Sequence, residues 1–413
     1  MVRRLHVGSS YRFATLHHLR QGRENRAGWS DSCRSNERLT HRKFFPRRWQ
    51  QGHLGATLTN FIMLSRVANT LFWMVRYVER ADNLARLIDV NQQLLLDFER
   101  LDSERLRGFW QPIILSTGDE EAFSTLYNET GSDEVINFLT DDPRNPNSIT
   151  SCIGLARENA RTVRDQLSDE LWEELNALYL FSRSDDARNL IRSDPPRYYE
   201  NIRRSAVTFL GIAASTTSRN EAWEFMDLGR HLERADKTTR FIDVSNYLPP
   251  SADAIESGSP GILHWTAVLR SCGAMGAFRS MKGEVTARGV ADFLIFSKDF
   301  PRSVRYCLER VDASLHAISG TPRGAFSNEA ERESGRLLAE LNFGSVDEVF
   351  KSGLHDYLDA MQNRFNHIGE KIFETYVLMP ESLDLSPWAQ PHTLSAIAAW
   401  QMEQQQQQQQ QQQ

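Results

Sequence analysis

The sequence has no run of about 18 apolar residues, which argues against a membrane-spanning helix, and no membrane partner is expected. Its cysteines are few: Cys33, Cys152, Cys272 and Cys307, irregularly spaced and never as CxxC. That pattern is neither a disulfide framework nor a zinc ribbon, and it fits a reducing cytosol, so a cytoplasmic protein is expected. HExxH, the P-loop, the GxSxG elbow and the GxGxxG fingerprint are all missing. Nothing therefore points to a zincin, a P-loop NTPase, an α/β-hydrolase or a dinucleotide enzyme, and no cofactor or metal is expected. Apolar and polar residues do not alternate between turn signals over any useful length, so no strand is expected either.

What remains is ordinary globular material: 40% hydrophobic and 25% charged residues in 413, enough for a sizeable core. The net charge of −6 hides an asymmetry. Residues 1–62 carry twelve Lys/Arg against three Asp/Glu. A basic arm suggests nucleic acid or a transit peptide. This one lacks basic–aromatic periodicity and helical spacing, so no nucleic-acid partner is expected, and 1–62 reads as unstructured or foreign to the domain. Met63 opens a strongly periodic helix and is the expected true start. Gln404–Gln413 is a polyglutamine run without a packing face, and 381–413 is read as a disordered tail. The domain is thus 63–380.

Within it, helix signals dominate. Residues 65–100 lack Pro and Gly and follow Ser65, a natural N-cap. Further helices are expected at 132–140, 148–167, 171–181, 197–217, 220–247, 262–281, 285–297, 301–318, 328–342, 346–352 and 354–377, with a loop at Pro143–Asn147. The fold class is all-α, a helical bundle.

Two of these helices repeat one another. Arg76-Tyr-Val-Glu79-Arg80-Ala-Asp82 recurs as Arg230-His-Leu-Glu233-Arg234-Ala-Asp236, and nine of fifteen positions from 76 to 90 are identical at an offset of 154. The chain reads as two related helical halves. At 100° per residue, Arg76, Glu79, Asp82, Asn83, Arg86 and Asp89 share one arc, and Trp73, Val78, Ala81 and Ile88 share the other. Phe72, Val75 and Val90 lie above and below the charges on the same arc, which suggests a charged cluster held between apolar surfaces. Arg230, Glu233, Asp236, Arg240 and Asp243 repeat the stripe. Facing one another, Arg76 and Arg80 would meet Glu233, and Arg230 and Arg234 would meet Glu79 in bidentate bonds. Arg and Glu three and four apart usually form solvated pairs of a few tenths of a kcal/mol. The repetition and the apolar flanks add two alternatives, a buried structural network and a ligand or partner site.

Arg157, Arg161 and Arg164 share a helical face suited to phosphate or carboxylate, with exposed arginines paired to neighbouring acids as the plainer alternative. Pro301 is placed at a helix N1 position, which would set Arg302, Ser303 and Arg305 near a positive helix end, with capping as the simpler role. His264 reads as a packed core residue, and Trp73, Trp110, Trp172, Trp223 and Trp265 as core anchors. Glu79 and Glu233 do not make a di-iron site, because neither helix supplies the Glu-x-x-His partner.

Together these motifs resemble the alpha-E family of bacterial all-helical proteins, named for a Glu-Arg motif. The likeness rests on Met63-Leu-Ser-Arg-Val-Ala-Asn, the two Glu-Arg-Ala-Asp segments, Asn147-Ser-Ile, Ala156-Arg-Glu-Asn-Ala-Arg161 with Trp172-Glu, His264-Trp with Leu269-Arg-Ser, and Phe300-Pro-Arg-Ser-Val-Arg305. It spans about residues 63–380. It implies the company of ATP-grasp ligase-like and transglutaminase-like proteins, and so a part in peptide synthesis or modification. A non-catalytic partner or scaffold is the expected role. An enzyme or binder using the Glu-Arg residues on an anionic substrate is the alternative, and a homo-oligomer is a third possibility.

Overall fold

A computed structural model describes residues 63, 65–97, 103–247, 261–281 and 283–378. Residues 1–62, Cys33 among them, and the whole tail 381–413 lie outside them. Sixteen α-helices and no strand occur among the described residues. They are α1 Ser65–Asp97, α2 Ser103–Thr117, α3 Glu120–Leu126, α4 Ser132–Thr140, α5 Ile149–Thr162, α6 Asp169–Ser182, α7 Asp185–Ser193 and α8 Pro195–Thr216. They continue as α9 Glu221–Tyr247, α10 Ile262–Ser271, α11 Met275–Met281, α12 Ala287–Phe296, α13 Val304–Ser319, α14 Glu329–Phe343, α15 Val346–Ser352 and α16 Leu354–Tyr376.

Short polar side chains set the helix starts. Ser148, Ser168, Ser184, Asp194, Thr286, Ser303 and Asn328 each accept a bond from the backbone N–H three residues on. Ser345 and Glu348 form a full capping box. Two helices, α2 and α3, occupy a stretch where none was expected, and α2 runs through Pro112. Two expectations change. The helix expected at 262–281 breaks at Gly273, whose φ of +61° ends α10 and turns the chain into α11. The helix expected from Pro301 starts at Val304, because Ser303 Oγ takes the Tyr306 N–H and becomes the N-cap. Arg302 therefore lies in the preceding loop, free to swing away from its helix.

The two Glu-Arg helices form the axis of the fold. α1 packs against α9, α5, α8 and α10, while α9 packs against α1, α13, α16 and α2. Both long helices are buried almost all round, with Leu71, Met74, Val78, Ala85 and Ile88 on α1 and Leu228, Leu232, Ala235 and Ile242 on α9. Gly229 allows their closest approach: a Cβ there would lie 2.4 Å from the Phe72 carbonyl oxygen. Cys152, Cys272 and Cys307 are buried free thiols, and burial pushes each up to about 12, which leaves them as small apolar fillers. Trp110 and Trp265 are core residues, as is His264, whereas Trp73 and Trp172 are half-buried under arginines.

Candidate functional site

Because α1 and α9 meet along their charged stripes, the motif residues face each other in the interior. Arg80 Nε donates to Glu233 Oε1 at 2.7 Å, and its Nη2 donates to Oε2 at 3.0 Å. Arg76 Nε donates to Glu233 Oε2 at 2.9 Å. Reciprocally, Arg234 Nε and Nη2 donate to the two oxygens of Glu79, each at 2.8 Å. Both glutamates are 0% exposed. Arg86 pairs with Asp82 at 2.9 Å and Arg240 with Asp236 at 2.9 Å, each one turn along its own helix.

Arg230 is not where the stripe geometry would put it. It does not pair with Glu79, and its Nε is buried without a partner. Arg302 takes that place, donating from Nη1 to Glu79 Oε1 at 3.0 Å and to Asn83 Oδ1 at 2.8 Å, and from Nη2 to Asp82. Arg234 and Arg302 together engage both oxygens of Glu79. Burial, followed by the neighbouring Arg234 cation, pushes the Arg230 pKa down.

The Glu233 end is completed differently. Arg80 Nη1 donates to Asn147 Oδ1, and Asn147 Nδ2 donates to Asp119 Oδ1 at 2.7 Å. Asn147 occupies the loop before α5 as Arg302 occupies the loop before α13. On the helix, Lys237 lies 3.6 Å from Asp236, at the position corresponding to Asn83. Sequence reasoning placed Asn83 on the charged stripe but missed Lys237 and Asn147 as members of the network. A signal was present: Pro146-Asn147-Ser148-Ile149 with Cys152 matches Pro301-Arg302-Ser303-Val304 with Cys307 at an offset of 155. The turns that follow α2 and α10 close the ends of the stripe. A Cβ on Gly118 (φ +80°) would lie 3.3 Å from Arg240 Nη1, and one on Gly273 the same distance from Arg86 Nη1.

The electrostatics follow from the pairing. Burial alone would raise both glutamates, but the guanidiniums of Arg234 and Arg302 on Glu79, and of Arg80 and Arg76 on Glu233, hold them well below the usual carboxylate range. Arg80 and Arg234 are pushed up by the glutamates they face, against the opposing effect of burial. A carboxylate with its oxygens occupied by arginine, and held as an anion, has no proton to offer and little basicity to spend. The network is chemically a clamp. It ties α1 and α9 to each other and to the loops before α5 and α13.

The other candidate arginines lie apart from it. Arg157 stacks on Trp172 and Tyr179 and donates to Asn176, while Arg161 pairs with Glu158 at 2.8 Å and Arg164 with Asp169. Arg305 donates to Asn342 Oδ1 at 2.9 Å and to the Phe296 carbonyl at 3.4 Å. Among the described residues no helix is long and apolar enough to cross a membrane.

Known proteins place this geometry in context. A family model described as "a predicted alpha-helical domain with a conserved ER motif" matches residues 63–377. Uncharacterized proteins of Mycobacterium bovis and of Mycobacterium tuberculosis (strain CDC 1551) are each 27% identical over 337 residues, which is 76% of this chain and 37% of the relative. A third, from M. tuberculosis strain H37Rv, is 26% identical over the same length. The chain thus spans little more than a third of these relatives. No solved structure matches it. The helices that carry the paired Glu-Arg motifs fall inside the matched region, and the chain belongs to the Alpha-E family.

Proposed function

We propose that the domain is a non-catalytic helical partner or scaffold, working in the cytoplasm beside an ATP-grasp ligase-like protein and a transglutaminase-like protein in peptide synthesis or modification. The observation that carries this reading is a groove between α13, α14 and the loop joining them, of about 860 Å³. Phe343 and Phe326 on its lining are 89% and 59% exposed. Lys298, Arg305 and Arg323 line it too and make no ion pair among the described residues. Exposed aromatic rings beside cations free of ion pairs suit a partner that brings apolar and acidic side chains. The clamp described above supports the non-catalytic half of the reading, since it commits Glu79 and Glu233 to structure. In the mycobacterial relatives the matching stretch is part of a chain more than twice its length, which suits a domain that works next to others.

Co-purification at micromolar concentration tests the idea, with an ATP-grasp ligase-like protein from the same cell as bait. Co-elution is expected, and Phe343→Ser with Arg305→Glu is expected to weaken it at least tenfold without moving the melting temperature. Clean separation of the wild-type proteins overturns the proposal. Light scattering on the domain alone reports whether a second copy occupies the groove instead.

A further inference from the structure

A second cavity, of about 590 Å³, lies between α1, α9 and α16. Pockets of roughly 300–1,000 Å³ are the size that takes small organic ligands. Phe72, Trp73, Phe225, Phe365, Phe373 and Tyr376 supply aromatic walls. Two charged motif residues, Arg76 and Asp236, share the lining.

Each of these two has unused capacity. Arg76 turns Nε and Nη2 to Glu233, each 2.9 Å from Oε2, and stacks over Trp73 at 4.6 Å, while its Nη1 makes no hydrogen bond among the described residues. Asp236 accepts from Arg240 through Oδ2, and its Oδ1 is buried without a partner in a residue only 8% exposed. An unpaired carboxylate oxygen held from water is costly unless something answers it. The acids on the rim are solvated: Glu374 is engaged by Lys371 at 2.7 Å, and the Glu370 side chain is 69% exposed.

Gly369 also lines the cavity, in the middle of α16. A helix-interior glycine costs about 0.5–1 kcal/mol relative to alanine. Packing does not require it here: a Cβ would meet only Leu232 at an ordinary 3.7 Å. At this position a methyl group fits, whereas a longer side chain would project into the cavity.

We infer that this cavity binds a free α-amino acid with an aromatic or large apolar side chain. The carboxylate goes to Arg76 Nη1, the ammonium to the Asp236 side, and the side chain lies among the rings. A ligand with only one of the two charges leaves the other motif residue unanswered. The inference does not depend on the partner reading, and either can fail alone.

Calorimetric titration of the full chain with L-phenylalanine, phenethylamine and 3-phenylpropionate tests it. L-phenylalanine is expected to bind one to one, at least tenfold tighter than either singly charged analogue. Gly369→Leu is expected to abolish binding, and Gly369→Ala to retain it. Tryptophan emission gives a second readout that needs no variant in the cavity backbone: the change caused by L-phenylalanine is expected to disappear in Trp73→Phe. Equal affinities for the three ligands, no saturable binding of L-phenylalanine, undiminished binding in folded Gly369→Leu, or an emission change that survives in Trp73→Phe would each overturn the inference.

Discussion

The Glu79 and Glu233 ends of the clamp have the same parts in different places. At the Glu79 end the extra cation is Arg302, delivered by a loop, and the amide is Asn83 on the helix. At the Glu233 end the amide is Asn147, delivered by a loop, and the extra cation is Lys237 on the helix. Each end holds one charge and one amide with the positions exchanged. The element that supplies the added cation therefore changes, and the Glu233 end alone adds a carboxylate, Asp119, through Asn147. The two ends also differ in depth. Of the cations on Glu79, Arg234 is 4% and Arg302 13% exposed, whereas Arg76 and Arg80 on Glu233 are 16% and 15% exposed, so Arg234 is the deepest of the four.

That difference in depth can be measured. Removing one partner of a buried pair costs about 3–5 kcal/mol, because the other charge is left stranded. Glu79→Gln and Glu233→Gln should both fall in that range by urea unfolding, with Glu79→Gln the more damaging since it strands the deeper Arg234. Equal losses would erase the distinction between the ends. The exchanged cations come next. Arg302→Asn removes charge-assisted bonds to three side chains and should cost about 2–3 kcal/mol. Lys237→Asn, which removes only a 3.6 Å contact, should cost under about 1 kcal/mol. A reversed order would mean that the helix cation, and not the loop, holds its end together. The smallest effect belongs outside the clamp. Arg161→Ala, on a side chain 64% exposed, should change stability by no more than about 0.5 kcal/mol. A larger loss would show that the α5 arginines carry more than surface pairs.

Sequence periodicity made the long helices and their stripes readable, because apolar residues at helical spacing surround Glu79 and Glu233 on every side. The partnership of Arg80 with Glu233 and of Arg234 with Glu79 follows once those stripes meet. Arg302 could not be assigned to Glu79 in this way. Its route depends on Ser303 taking the N-cap, a one-bond choice that frees the preceding residue from its helix. α2 stayed hidden because Pro112 sits in its interior. The amino-acid cavity left little trace, since Gly369 shapes it by what it lacks and the walls come from helices more than a hundred residues apart in the chain.

The contact at Gly229 has a mechanical side. Backbone touches backbone there, so any rocking of α1 against α9 must turn about that point, with nothing softer to compress. Arg80 lies eight residues beyond Phe72, a lever arm of about 12 Å at 1.5 Å per residue. A tilt of only about 5° at the fulcrum moves it by roughly 1 Å, enough to stretch its 2.7 Å bond to Glu233 out of hydrogen-bonding range. The pairs that cross between the helices, and not those that Arg86 and Arg240 make within one helix, are thus the ones placed to register strain on this helix pair.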